Sequence, residues 1–164
     1  LKIAMTSSTK KTTKTKEELP PNPFIHEILE VASKQRSKAK KIEVLQEYAN
    51  PALKTLFIWN FDDTVVSVVP AGDVPYNQNE VPVGTDHTSL RKEYKHLYNF
   101  VKGGNDSLTS LRRETMFIQI LEGLHPQEAE VLCLVKDKKL QTKYKLTYEV
   151  VSQAFPDIRW GGRS

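Results

Sequence analysis

The chain has 164 residues, of which 38% are hydrophobic and 27% are charged, and this composition fits one folded domain. Its mean hydropathy is -0.49, and no apolar run approaches the ~20 residues that cross a bilayer, so we expect no membrane partner. The net charge of +4 invites a nucleic-acid interpretation. However, five of the 24 Lys and Arg residues lie in the first 19 positions beside two acids, and the 19 basic and 18 acidic residues that follow nearly cancel.

Residues 1–19 are predicted to form a disordered basic tail. Thr, Ser and Lys dominate this segment, and its apolar surface is too small to offset the entropy of ordering it. Lys10, Lys11 and Lys14 make the tail a candidate tether for nucleic acid, and a solvated leader is the alternative hypothesis. The segment has neither the apolar core of a secretory signal nor the Arg residues of a transit peptide.

The chain contains a single cysteine, which cannot form an internal disulfide, so nothing in the sequence indicates an oxidising compartment. We therefore expect the protein to act in the cytoplasm. Met5 followed by Thr6 is typical of a natural start, which leaves Leu1 and Met5 as alternative first residues.

Residues 20–164 are predicted to fold into one compact, mainly α-helical domain of about six or seven short helices. Helix starts are marked by polar residues whose side chains accept the free amides of the first turn, sometimes with Pro at the first helical position. The helix 108–124 carries the widest apolar face and is expected to be central. The segment 88–101 is predicted to be one α-helix, with an apolar stripe of Leu90, Tyr94, Leu97, Tyr98 and Val101. The predicted starts are Asn22, Ser37, Asn50, Thr88, Asp106 or Ser107, Pro126 and Thr147.

The helical pattern is interrupted in the middle of the chain by a predicted strand and a loop. Residues 64–69 are almost all β-branched and predict a short strand. Residues 70–86 contain three prolines and two glycines and predict a long Pro-rich loop inserted in the domain. Loops of this length are often functional, and Tyr76 is the aromatic residue within it.

Catalytic signatures are absent from the sequence. It contains no phosphate-binding glycine loop, zinc-binding helix, nucleophile elbow or calcium loop, so we expect no cofactor and no metal and favour a non-enzymatic role. The remaining enzyme hypothesis gathers Asp62, Asp63, Asp86 and His87 at the ends of the loop, and the alternative is that they form turns and caps. Cys133 has no base at helical spacing and is expected to be a buried structural cysteine.

Five basic residues occur within eight positions without an intervening acid, at the predicted junction of the first two helices. Such a cluster suits the phosphates of a nucleic-acid backbone, and a solvated corner balanced by Glu43 and Glu47 is the alternative. The five residues are Lys34, Arg36, Lys38, Lys40 and Lys41.

Five segments of the sequence carry a resemblance to a known family: NPALKTL at 50–56, WNFD at 59–62, VPAGDVPY at 69–76, RETMFIQILEGLHPQEAEVL at 113–132 and KDKKL at 136–140. They resemble a protein family of large tailed bacteriophages, especially those that infect marine cyanobacteria. The resemblance covers about residues 24–158 and implies synthesis in an infected bacterium, with association with the virion left open. It implies no particular activity.

Two functional hypotheses follow. The first is a small non-enzymatic phage protein that binds a host or phage macromolecule as an adaptor or modulator of infection, with Tyr76 and Trp160 as contacts to a protein partner. The second is an accessory factor that binds nucleic acid through the tail and the cluster 34–41. Salt-dependent binding to DNA or RNA distinguishes them.

Overall fold

The computed structural model describes residues 19–82 and 87–163, and the fold is mainly α-helical, as predicted. No helix within these ranges is long and apolar enough to cross a membrane. The expected tail boundary stays a prediction, since residues 1–18 lie outside the described ranges. The helices are α1 (Ile25–Lys34), α2 (Lys38–Glu47), α3 (Pro51–Phe61), α4 (Leu90–Glu93), a 3-10 helix (Tyr94–Phe100), α5 (Ser110–Gly123), α6 (Pro126–Lys136), α7 (Leu140–Lys143) and α8 (Tyr148–Ala154).

Helices whose cap is encoded locally begin where the sequence predicts. The side chains of Ser37, Asn50 and Thr147 each accept the amide three residues later, at the starts of α2, α3 and α8. At the start of α6 the Nδ1 atom of His125 accepts the Gln127 amide at 3.0 Å. These four starts are confirmed because each depends on a side chain beside the amide that it satisfies.

The buried carboxylate of Glu128, in the first turn of α6, joins the starts of two other helices. Its Oε2 accepts the amide of Ile25, the first residue of α1, and its Oε1 accepts the amide of Leu90, the first residue of α4, both at 2.9 Å. Helix N-termini carry free amides and a partial positive charge, so one carboxylate stabilises both. The predicted caps Asn22 and Thr88 are wrong, because the acceptor for each start comes from a residue distant in the sequence.

The central helix is α6, which packs against α1, α3, α5 and α7. The prediction that α5 is central is wrong, since α5 buries Phe117 and Leu121 but leaves Leu111 77% exposed. Its cap is Thr109 rather than Asp106 or Ser107. The short helix α7 was not predicted. The amide of its first residue, Leu140, donates to the side chain of Asn60 in α3, so the sequence around residue 140 contains no cap that predicts the helix.

The single long helix expected from residue 88 to 101 is instead one turn of α-helix followed by a 3-10 helix. A 3-10 helix places every third residue on one face. Tyr94, Leu97 and Phe100 follow this spacing, and Phe100 is fully buried while Tyr98, part of the predicted α-helical stripe, is 52% exposed. The apolar period of three therefore decides the structure of this segment.

Residues 64–69 form no strand of a sheet in the described part of the chain. Ser67 makes an isolated antiparallel bridge with Val101. Two backbone bonds of 2.8–2.9 Å flank the bridge. Residues 70–82 contain neither helix nor strand, and the rest of the expected Pro-rich loop, 83–86, lies outside the described residues.

Replacing Glu128 by Gln should destabilise the protein by about 2 kcal/mol, because a donor amide would replace one of the two oxygens that accept backbone amides in a buried site. Urea unfolding monitored by circular dichroism measures the change. Glu130→Gln in the same helix is the matched control, since Glu130 makes only an exposed ion pair with Lys143, and its cost should stay below about 0.5 kcal/mol. Equal costs for the two variants would contradict the bridging role of Glu128.

Candidate nucleic-acid interface

The predicted basic cluster lies at the corner where α1 ends and α2 begins. Lys34 is the last residue of α1, and Arg36 lies in the connection. Lys38, Lys40 and Lys41 occupy the first turn of α2. All of these residues are exposed except Lys41, which is half-buried. We call these five residues the basic corner.

The lysines of α2 stand at the end of the helix where the backbone dipole is positive. Ser37 Oγ accepts the Lys40 amide at 3.1 Å, which makes Lys40 the third helical residue. Glu at this position would complete a capping box with Ser, and an acid in the first turn is favoured by roughly 0.3–1 kcal/mol. No acid is present in the first turn of α2. Helix stability therefore does not account for these lysines.

The fold places Lys145 beside the basic corner. The Lys145 amide donates to Ser33 Oγ at 2.8 Å, and its carbonyl accepts a bond from Lys41 Nζ at 2.6 Å. Lys145 is itself exposed. The sequence shows it only as the end of a second basic stretch, 136–145, and no local pattern indicates on which side of the molecule that stretch lies.

One acid, Glu149, enters the basic corner and pairs with Lys38 at 3.0 Å. Both side chains are more than half exposed, so the pair contributes little to stability. Within residues 19–82 and 87–163, the side chains of Lys34, Arg36 and Lys40 make no ion pair and no hydrogen bond. These three cations can therefore meet an external anion without breaking an internal contact.

Three other basic residues, Arg113, Lys136 and Lys138, form hydrogen bonds inside the fold. Each donates to backbone carbonyls of another segment, and the Lys136 side chain is completely buried. They hold loops in place and do not extend the basic corner. The residues are Arg113, which bonds to residues 99, 105 and 108, Lys136, which bonds to residues 70 and 72, and Lys138, which bonds to residues 59 and 62.

The predicted tail contacts Lys10, Lys11 and Lys14 lie outside the described residues, so their role stays a prediction.

The two predicted aromatic contacts lie in different surroundings. Tyr76 is half-buried and lines a cleft of about 630 Å³ between residues 72–78 and α6, where burial raises the pKa of its hydroxyl. Trp160 does not line this cleft and contacts Tyr148 instead, with ring centroids 5.1 Å apart. Cys133 lines the Tyr76 cleft and is half-buried rather than buried, and burial raises its pKa to about 11. The thiol is therefore protonated at neutral pH and is a poor nucleophile.

Asp62 is buried and bonded to the C-terminal segment. It is 3% exposed, and its Oδ2 accepts the Gly161 amide at 2.9 Å and Arg163 Nε at 3.0 Å. Burial would raise the pKa of this carboxyl, but hydrogen bonds from Thr64, Gly161 and Arg163 outweigh burial and lower the pKa to about 2. Asp62 thus fastens the C-terminal segment to the end of α3.

Of the other residues of the enzyme hypothesis, the structure describes Asp63 and His87. Asp63 is exposed, and Asp86 lies outside the described residues. His87 lines a separate cleft of about 590 Å³ with His96 and the glutamates 93 and 122. The described residues contain no group of three or more His, Cys, Asp or Glu side chains arranged to hold a metal ion.

Residues 28–142, more than two thirds of the chain, match a protein family described as a family of unknown function (DUF6433), and the chain belongs to this family. The matched range contains the basic corner and ends before Lys145. No curated protein and no solved structure is significantly similar to the chain.

Replacing Asp62 by Asn should remove a pH-dependent part of the stability. Since the pKa of Asp62 is lower in the folded chain than the ordinary 3.8, its contribution is complete above about pH 5 and disappears as the pH falls towards 2. We expect Asp62→Asn to cost about 2 kcal/mol at neutral pH and to flatten the fall in stability between about pH 5 and 2. Urea unfolding across this range measures both effects, and Asp63→Asn, which alters an exposed neighbour, should change neither. An unaltered pH profile in Asp62→Asn would refute the assignment.

Proposed function

Membership in a family of unknown function assigns no activity, so we propose from the surface of the molecule that this is a non-enzymatic protein that binds nucleic acid at the basic corner. The proposal includes the tail lysines as further phosphate contacts. It places the protein in a bacterium infected by a tailed phage, as the resemblance of its sequence implies.

The observation that carries the proposal is the position of Lys40. A cation at the third residue of a Ser-capped helix opposes the helix dipole, whereas an acid there would stabilise the helix. Lys34 and Arg36 extend the same positive surface without an internal ion pair in the described part of the chain. A chain of phosphates supplies the missing negative charge, and the release of its counterions makes binding favourable at moderate salt.

A protein partner is the second candidate, and the cleft beside Tyr76 favours it. This cleft combines the apolar side chains of Val74 and Leu134 with the ring of Tyr76, and aromatic residues are enriched at protein-binding surfaces. Binding there would not depend on the charges of the basic corner. The two candidates therefore predict different responses to the same substitutions.

Neutralising the three unpaired cations should abolish most of the nucleic-acid affinity. We expect the triple variant Lys34→Gln, Arg36→Gln and Lys40→Gln to bind a labelled oligonucleotide at least about tenfold more weakly than the wild type at moderate salt. Fluorescence anisotropy measures the affinity.

The matched control is the triple variant Lys92→Gln, Lys95→Gln and Lys102→Gln, which removes the same charge from three exposed lysines elsewhere on the molecule. Its affinity should stay within about threefold of the wild type, because the contacts to phosphate are retained. Equal losses in the two triple variants would show that net charge, and not the basic corner, determines binding.

Replacing Lys40 by Glu should raise stability and lower affinity together. The introduced carboxylate would complete the capping box with Ser37 and complement the dipole of α2, so we expect a gain of roughly 0.5 kcal/mol in the free energy of unfolding. The same change places a negative charge among the phosphate contacts and should weaken binding more than Lys40→Gln does. Thermal unfolding and anisotropy on one preparation test both halves. A variant that is less stable, or that binds as tightly as the wild type, contradicts the proposal.

A further inference from the structure

An aromatic pair lies beside the basic corner. Tyr148, the first residue of α8, is 47% exposed, and its ring meets the half-buried ring of Trp160 edge to face at an interplanar angle of 67°. In such a contact at most one face of one ring is covered by the partner ring. Tyr148 is therefore an exposed aromatic ring whose orientation is fixed by a neighbour.

The backbone and side chains around Tyr148 connect it directly to the basic corner. Glu149, the next residue, pairs with Lys38 at 3.0 Å. Lys145, three residues earlier, accepts the bond from Lys41. Tyr148 is thus in the chain segment 145–149, whose residues on either side of it contact Lys38 and Lys41 of the basic corner.

An exposed aromatic ring next to lysines distinguishes single-stranded from double-stranded nucleic acid. Lysines bind the phosphates of any strand, but an aromatic ring gains stacking energy only from a base whose face is free. In a duplex the base faces are already stacked on each other, whereas a single strand can turn a base onto the protein. Every base has a π-face, so the contact requires no particular sequence.

We infer that the basic corner takes single-stranded nucleic acid in preference to a duplex, with Tyr148 stacking on a base while the adjacent lysines hold the phosphates. The inference rests on the proposed function, because it assigns the substrate class of the same surface. Single-stranded DNA and single-stranded RNA share the chemistry that the surface recognises, so both are included in the test.

The experiment compares Tyr148→Ala with Tyr98→Ala in the full chain. Tyr98 is 52% exposed and lies in the 3-10 helix, so this control removes a similar ring from a different surface. The probes are labelled oligothymidylate, labelled oligouridylate and a labelled duplex, each of about 20 nucleotides, which is longer than the roughly 4–16 nucleotides that a small single-strand site covers.

We expect Tyr148→Ala to weaken binding of both single strands about tenfold or more while leaving duplex affinity within about twofold. Tyr98→Ala should bind all three probes like the wild type, and Tyr148→Phe, which keeps the ring, should retain single-strand binding. If single-strand binding is lost in Tyr148→Ala and retained in Tyr148→Phe, the effect is due to the ring and not to a general loss of structure.

Three results would overturn the inference. If Tyr148→Ala binds single strands like the wild type while the triple variant at the basic corner does not, the stacking role is wrong and the proposed function stands. If the wild type prefers the duplex, the substrate class is wrong and the site stands. If the wild type binds none of the three probes, the inference and the proposed function fail together.

Discussion

The fold depends on one buried carboxylate. Glu128 accepts the first amides of α1 and α4, which lie far from it and from each other in the sequence, so the starts of three helices meet at one side chain. The attraction between a carboxylate and the positive ends of helices makes this contact stronger than a neutral hydrogen bond. Because Glu128 sets where α1 begins on α6, it also sets where the ten residues of α1 end and the basic corner starts.

At the other end of α1, where α2 begins, the charged side chains have the opposite sign. Glu128 places a negative charge at helix starts, as the dipole favours, whereas Lys38 and Lys40 place positive charges at the start of α2. The bonds of Lys145 to Ser33 and Lys41 bring a further cation to the same place. The lysines at the start of α2 are not explained by helix stability, and their position supports the proposed binding surface.

The sequence predicts the parts of this arrangement that are decided locally. Ser37, Asn50 and Thr147 cap the helices expected of them, and the five residues of the basic corner are adjacent because a short connection between two helices keeps them so. The start of α1, the helix α7 and the position of Lys145 could not be predicted, since each depends on a partner in another element. The 3-10 helix was not predicted because the α-helical stripe joins Leu97 to Tyr98 and Val101, whereas the buried residues Leu97 and Phe100 are three apart.

The central claim is that the cations of the basic corner bind the phosphates of nucleic acid, and the salt dependence of wild-type binding tests it most directly. If the five residues of the basic corner and Lys145 each contact one phosphate of a single strand, the logarithm of the affinity falls linearly with the logarithm of the salt concentration with a slope of about -4, and contacts from the tail lysines make it steeper. The measurement is the affinity for labelled oligothymidylate between about 50 and 200 mM salt. A slope of about -4 or steeper is the predicted result, and an affinity that does not change with salt, or no binding at the lowest salt, would contradict the claim.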